Sequence, residues 1–320
     1  MALDALDEFT ISATDASLEG VCARIAAAGA IPQITAALAH PQAASDEEAP
    51  ARMVEAALRL AFSLAFASRE RAEWLACAGA LRPLVERGLR HPVDAVAAAA
   101  AKALYALVWS PGDDPPSDTH ATPPIVVRRL IECGALAALV VLLHRPILSH
   151  ANDAYRWPPA VAAARALSSF AASGRCVPAA IAGEPGALEA LAALLEPAEG
   201  GGSAALQAAA AASRYFAQAL AADWQQAGVP LTRTICDAGA APPLLKLLRR
   251  LPPTDCDTNN HDSIVKSCMS ALFFIHRAGL LAPAERDEHV SALRRLYRPG
   301  AHASTAARAA EHLQCFGELA

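Results

Sequence analysis

Five Gly-Ala dipeptides stand at nearly regular intervals along the chain, at Gly29-Ala30, Gly79-Ala80, Gly134-Ala135, Gly186-Ala187 and Gly239-Ala240, with spacings of 50, 55, 52 and 53 residues. Each is preceded by a short apolar segment and followed by a leucine-rich one. Self-similarity at a fixed period of this size marks stacked supersecondary units, each of which buries its apolar face against its neighbours. Length alone would divide 320 residues into about two domains, but a repeat array escapes that expectation. The chain reads as one elongated domain spanning 20–320, preceded by a segment, 1–19, that could supply a capping helix.

Composition narrows what the repeated unit can be. Hydrophobic residues make up 54% and aromatics 5%, so the core must be built from Ala, Leu and Val, and Ala and Leu are the strongest apolar helix formers. No stretch alternates apolar and polar residues long enough for a strand, and the predicted class is all-α. In the second unit, Trp74-Leu75-Ala76-Cys77 forms an apolar turn that Gly79 closes, because glycine accepts the left-handed conformation that ends a helix. A second helix starts near Leu81 with Pro83 in its first turn, carries Leu84, Val85 and Leu89, and stops at His91-Pro92. Asp94 is the expected N-cap of a third helix, Ala95 to Trp109.

The same order of a short, a medium and a long helix returns around every anchor. The long helices are expected near 52–67, 95–109, 160–172, 204–221 and 263–278, and the repeats near 20–68, 69–110, 125–173, 177–222 and 231–279, with 288–320 as a closing cap. At this point the residues carry a resemblance. Cys77-Ala78-Gly79-Ala80-Leu81-Arg82-Pro83-Leu84-Val85 and Cys236-Asp237-Ala238-Gly239-Ala240-Ala241-Pro242-Pro243-Leu244-Leu245 resemble the armadillo repeat, whose second helix opens on Gly-Ala-Ile/Leu-Pro-x-Leu-Val. The resemblance implies a right-handed α-solenoid of three-helix repeats. The spacings exceed the roughly 40–47 residues usual for such units, and the surplus falls in loops at 111–124, 145–159, 200–203, 223–230 and 251–262 that are rich in Pro, Gly, Asp or Asn.

Several function classes are not expected. The net charge is −5, from 32 acidic and 27 basic residues, and the lysines are Lys102, Lys246 and Lys266 alone, so no basic stripe is available for nucleic acid. The acidic start, with Asp4, Asp7, Glu8 and Asp15, suits neither a secretory signal nor a transit peptide, and a cytoplasmic or nuclear location is expected. No membrane span is predicted, since the apolar stretches are interrupted by Lys102, Gln207 and Arg214.

Cys22, Cys77, Cys133 and Cys236 each precede a Gly-Ala and are read as small buried hydrophobes at equivalent sites. His40, His91 and His144 stand before prolines at the end of medium helices, where a donor would meet unsatisfied carbonyls. Asp255 to Asp262 imitates the first half of a calcium loop, but Asn260 stands at the glycine position and Lys266 at that of the bidentate glutamate. No phosphate-binding loop, nucleophile elbow or zinc motif occurs. No metal, cofactor or catalytic residue is expected, and the chain is not read as an enzyme.

The resemblance implies instead that the long helices line a groove that takes a protein or peptide partner. Members that grip a peptide backbone use one asparagine per repeat, and here Ala106, Ser169, Tyr215 and Phe274 take that position. The candidate partner-binding residues on this face are Lys102, Tyr105, Arg165, Ser169, Arg214, Tyr215, Lys266 and Phe274. Trp109, Trp157 and Trp224 fall at helix ends or in insertions, where they either staple loops to the repeats or stand as exposed anchors. The expected function is a monomeric, non-catalytic interaction scaffold or adaptor. Two alternatives are an Hsp70 co-chaperone resembling the armadillo-type nucleotide-exchange factors and the substrate-binding part of a ubiquitin ligase. With repeats beginning near residue 20, the latter would take its catalytic module from another chain.

Overall fold

The computed structural model describes residues 15–108, 124–147, 157–196, 202–225, 230–250, 259–297 and 303–317, and all regular structure among them is helical. The chain divides into two compact units, Met1–Val177 and Pro178–Ala320. In the first, three helix triplets follow one another: Asp15–Ala27, Ala30–Ala39 and Glu48–Ala67; Arg69–Cys77, then Leu81–Pro83 running into a single π-helical turn Leu84–Leu89, and Asp94–Val108; Ile125–Glu132, Ala135–Leu143 and Pro159–Ala172. A fourth triplet, Val177–Ala182, Ala187–Leu194 and Gly202–Gln225, starts at the division. The second unit then continues with Pro230–Asp237, Ala241–Arg250 and Asn259–Arg277, and with a closing pair, Pro283–Leu296 and Ala303–Cys315.

Gly29, Gly79, Gly134, Gly186 and Gly239 have φ between 76° and 85°, the left-handed region that costs a residue with a Cβ one or more kcal/mol. At Gly79 the amide of Ala80 reaches back to the Leu75 carbonyl at 3.2 Å, which satisfies one of the carbonyls the helix end leaves open and turns the chain into the next helix. Gly279, at φ 71°, repeats the device after the long helix Asn259–Arg277.

In the first unit the helices Glu48–Ala67 and Asp94–Val108 pack side by side, and Pro159–Ala172 packs on the second of them. In the second unit Gly202–Gln225 lies along Asn259–Arg277. Alanine makes this possible. Ala97, Ala100, Ala101 and Ala103, and Ala160 through Ala164, are buried, so these helices are apolar almost all round and sit between neighbours rather than on one.

The medium helices are tied together by arginines. Arg87 donates to the His40 carbonyl at 2.5 Å. Arg145 donates to the His91 carbonyl at 2.9 Å and to Asp94 at 2.6 Å. In the second unit Arg295 donates to the Leu248 and Arg249 carbonyls at 2.6 and 2.8 Å. Each guanidinium comes from a later triplet or from the closing pair and meets the open carbonyls at the end of the medium helix before it. Arg145→Ala should therefore cost about 2 kcal/mol, the usual worth of hydrogen bonds to a charged group. It should be seen as a lower denaturation midpoint at unchanged slope, and Arg145→Lys should recover less than half, since a single ammonium nitrogen lacks the fork that lets two guanidinium nitrogens reach the His91 carbonyl and Asp94 separately.

These contacts correct three expectations. At two of the helix ends the histidine ring accepts rather than donates at Nδ1: His40 and His91 take the amides of Gln42 and Val93 at 3.3 and 3.1 Å. Burial keeps the His91 imidazole below the usual histidine range, which favours the neutral acceptor, and arginine supplies the cation instead. Asp94 is the first residue of its helix rather than the cap before it. The four cysteines are not equivalent, because they stand seven, two, one and three residues before their glycines and so point in different directions around the helix. Cys22 is buried, Cys133 and Cys236 are half-buried and Cys77 is exposed, and all four are free thiols.

Two expected loops are shorter. The fourth long helix starts at Gly202 and runs on to Gln225, where the buried Asp223 carboxylate accepts from the Thr232 amide at 2.8 Å and its hydroxyl at 2.6 Å. The carboxylate caps the following helix from its neighbour, which holds the end of the long helix in place. Trp109 and most of the insertions at 111–124, 145–159 and 251–262, including the start of the calcium-like loop, lie outside the described residues.

Candidate protein-interaction surface

Three of the residues singled out on the long helices of the first unit meet around one side chain. Trp157 stands two residues before the Pro159–Ala172 helix. The Arg165 guanidinium lies over its ring at 4.0 Å, the Lys102 ammonium at 5.0 Å, and the Tyr105 ring meets it edge-on at 5.8 Å. All four side chains are half-buried. Spacing explains the convergence: Lys102 and Tyr105 are neighbours on one helix face, and the packing of that helix on Pro159–Ala172 brings Arg165 alongside. A guanidinium stacked on indole is held in orientation while its in-plane N–H donors stay directed outward. Ser169, one turn beyond Arg165, is buried.

The second unit has a related cluster. Arg277 lies 4.6 Å over the Trp224 ring and 5.9 Å from Phe273, and Trp224 is 6.2 Å from Phe274. Arg214 donates to Ser263 at 3.0 Å, across the seam between the two long helices and one turn before Lys266. Tyr215 behaves differently. It is fully buried, donates to the Pro178 carbonyl at 3.2 Å and meets Phe216 edge-on at 5.4 Å. Successive residues of a helix are about 100° apart, so Arg214 faces out because Tyr215 faces in. Sequence reading named Trp157 and Trp224 without assigning them to this surface and did not name Arg277. The signal for Arg277 was its position four residues after Phe273, where helical side chains meet.

The groups with chemistry of their own lie elsewhere. Burial pushes the Cys236 and Cys268 thiols up to about 11 and about 12, so neither is a thiolate at neutral pH. A pocket of about 480 Å³ in the second unit is lined by His276, Arg286, Asp287, Val290, Arg294 and Phe316. His276 stacks on Phe316 at 3.8 Å, and its Nδ1 lies 3.3 Å from Nδ1 of the buried His289. Among the described residues of the pocket wall there is no Ser, Thr or Cys that such a base could activate. Among the described residues no three His, Cys, Asp or Glu side chains are arranged to hold a metal ion, and no single helix is long and apolar enough to cross a membrane.

No protein-family model matches the sequence, and no curated protein matches it. Solved structures do. "Designed armadillo repeat protein YIII(Dq)4CqI" is 23% identical over 89% of this chain and 98% of its own, with a TM-score of 0.62. "Designed armadillo repeat protein YIII(Dq.V1)4CPAF in complex with peptide (KR)4" is 22% identical over 89% of this chain and 99% of its own, with a TM-score of 0.64. A structure described as computationally designed armadillo repeat proteins for modular peptide recognition is 23% identical over 89% and 98%, with a TM-score of 0.62. With the five left-handed glycine hinges and the repeated short, medium and long helices, this likeness establishes that the chain has the all-α fold of an armadillo-repeat solenoid.

Proposed function

We propose that the chain is a non-catalytic protein-interaction scaffold whose partner lies against the long helices. The observation that carries this reading is the convergence of Lys102, Tyr105 and Arg165 on Trp157. Half-buried aromatic and arginine side chains gathered in one place are what interface hot spots are made of. The Trp224, Phe274 and Arg277 cluster gives the second unit a comparable anchor. The designed repeat proteins that share the fold include one solved with a bound peptide, which supports the same use here.

The test begins with selection of binding peptides from a random display library on the purified chain. Binders are expected, and Trp157→Ala and Arg165→Ala should each weaken them at least tenfold with little change in melting temperature. Binders that hold as tightly to both variants as to the wild type would remove the surface from consideration.

A further inference from the structure

Of the serines and threonines in the chain, Ser45 alone is followed directly by three carboxylates, in Ser45-Asp46-Glu47-Glu48. It lies in the first unit, between the 3-10 turn Pro41–Ala44 and the long helix Glu48–Ala67. Ser45 is half-buried, while Ala44, Asp46, Glu47, Glu48 and Ala49 around it are exposed. The backbone is extended here, with ψ 140° at Ser45 and 139° at Glu47, the conformation in which many recognition grooves take up a peptide segment. The Ser45 hydroxyl accepts from the Glu47 amide at 3.2 Å, which leaves its own proton to be given up.

The second and third triplets bring donors and cations toward this serine. The 3-10 turn packs on the Leu84–Leu89 turn, from which Arg87 donates to the His40 carbonyl. His91 is only 1% exposed. Its Nδ1 accepts from the Val93 amide, so the ring proton is on Nε2, and this buried N–H is turned to the Ser45 carbonyl without completing a hydrogen bond to it. A buried donor left in that way is costly and calls for an acceptor. Arg145, held on the His91 carbonyl and Asp94, acts on the same imidazole. A phosphate on Ser45 Oγ would supply three acceptor oxygens and about two negative charges, beside the His91 N–H and just ahead of the positive end of the Glu48–Ala67 helix. Asp46, Glu47 and Glu48 oppose that charge, but they are exposed and screened, whereas His91 is buried, where the attraction is stronger.

We propose that Ser45 is a phosphorylation site for a serine/threonine kinase with a basic substrate groove, and that its phosphate fastens the start of the first long helix to the turn at His91. In the transfer Ser45 Oγ bonds to the γ-phosphorus of ATP as the bond from that phosphorus to the β,γ-bridging oxygen breaks; the hydroxyl proton passes to the kinase's base and ADP leaves. The test incubates the purified full chain with magnesium, ATP and casein kinase 2, a kinase that reads carboxylates after its target, and maps phosphopeptides by mass spectrometry. Ser45 should be the residue modified fastest. Ser45→Ala should remove that phosphopeptide, and Asp46→Asn with Glu48→Gln should slow its formation at least tenfold with little change in melting temperature. The phosphorylated chain should melt about 1–3 °C above the unphosphorylated one, and in His91→Gln, compared with its own unphosphorylated form, the rise should shrink to less than half. No phosphate on Ser45 while a control peptide is fully modified, or equal rates in the carboxylate variant, would overturn the site. A fall in melting temperature on phosphorylation, or an undiminished rise in His91→Gln, would overturn the fastening.

Discussion

Lowering the pH from 7 to about 4.5 should melt the closing helices Pro283–Leu296 and Ala303–Cys315 well before the first unit is affected. His289 is fully buried and His312 nearly so. Burial, with repulsion from His276 and His312, drives His289 down to about 3, and burial, with repulsion from Arg308, drives His312 down to about 4. In the unfolded chain both would titrate near 6.5. Above that value both states are neutral, and the histidines contribute nothing to the pH dependence. Below it the unfolded chain takes up protons that the folded chain refuses, so stability falls with pH at up to about 1.4 kcal/mol per pH unit for each histidine until the folded-state values are reached.

The surroundings reinforce the effect. Arg286 and Arg294 line the same pocket as His276, with Asp287 the carboxylate among the described lining residues. Thermal melts followed by circular dichroism across pH 7 to 4.5 should show a low-temperature transition growing in as the pH falls. His289→Leu, which fills a buried site without a titrating group, should remove about half of the slope. A melting profile independent of pH, or a slope unaltered in His289→Leu, would show that these rings are not buried as neutral groups.

How legible the chain was depended on whether a feature is local. The glycine hinges are local: Gly79 needs a left-handed φ whatever lies beside it, so its place in the sequence predicts its place in the fold. The extension of the fourth long helix to Gln225 is not. It depends on Asp223 finding Thr232 nine residues on, a contact that no propensity encodes. The site divides in the same way. Lys102 and Tyr105 share a helix face by spacing alone, but Trp157 joins them only because two helices from different repeats pack together. The cysteines mark the opposite error. Their regular neighbourhood suggested equivalence, while a shift of five residues relative to the glycine took Cys22 inside and Cys77 outside.

Tyr215→Ala should be among the most damaging single substitutions in the second unit, at about 3–5 kcal/mol, because it empties the place of a fully buried aromatic ring. Tyr215→Phe keeps the ring against Phe216 and removes only the hydroxyl. The buried Pro178 carbonyl then lacks its donor, a loss of about 1–2 kcal/mol. Urea unfolding should rank them in that order, with wild type above both. The more discriminating comparison is with the adjacent residue. Tyr215→Phe, measured well below its melting temperature, should bind a library-selected peptide that lies against this helix within about twofold of wild type, whereas Arg214→Gln should lose tenfold or more with almost no change in stability. Sequence alone puts both residues on the partner face. The helix allows only one of them to be there, and if Tyr215→Phe cost as much affinity as Arg214→Gln, the assignment of inside and outside on the Gly202–Gln225 helix would have to be reversed.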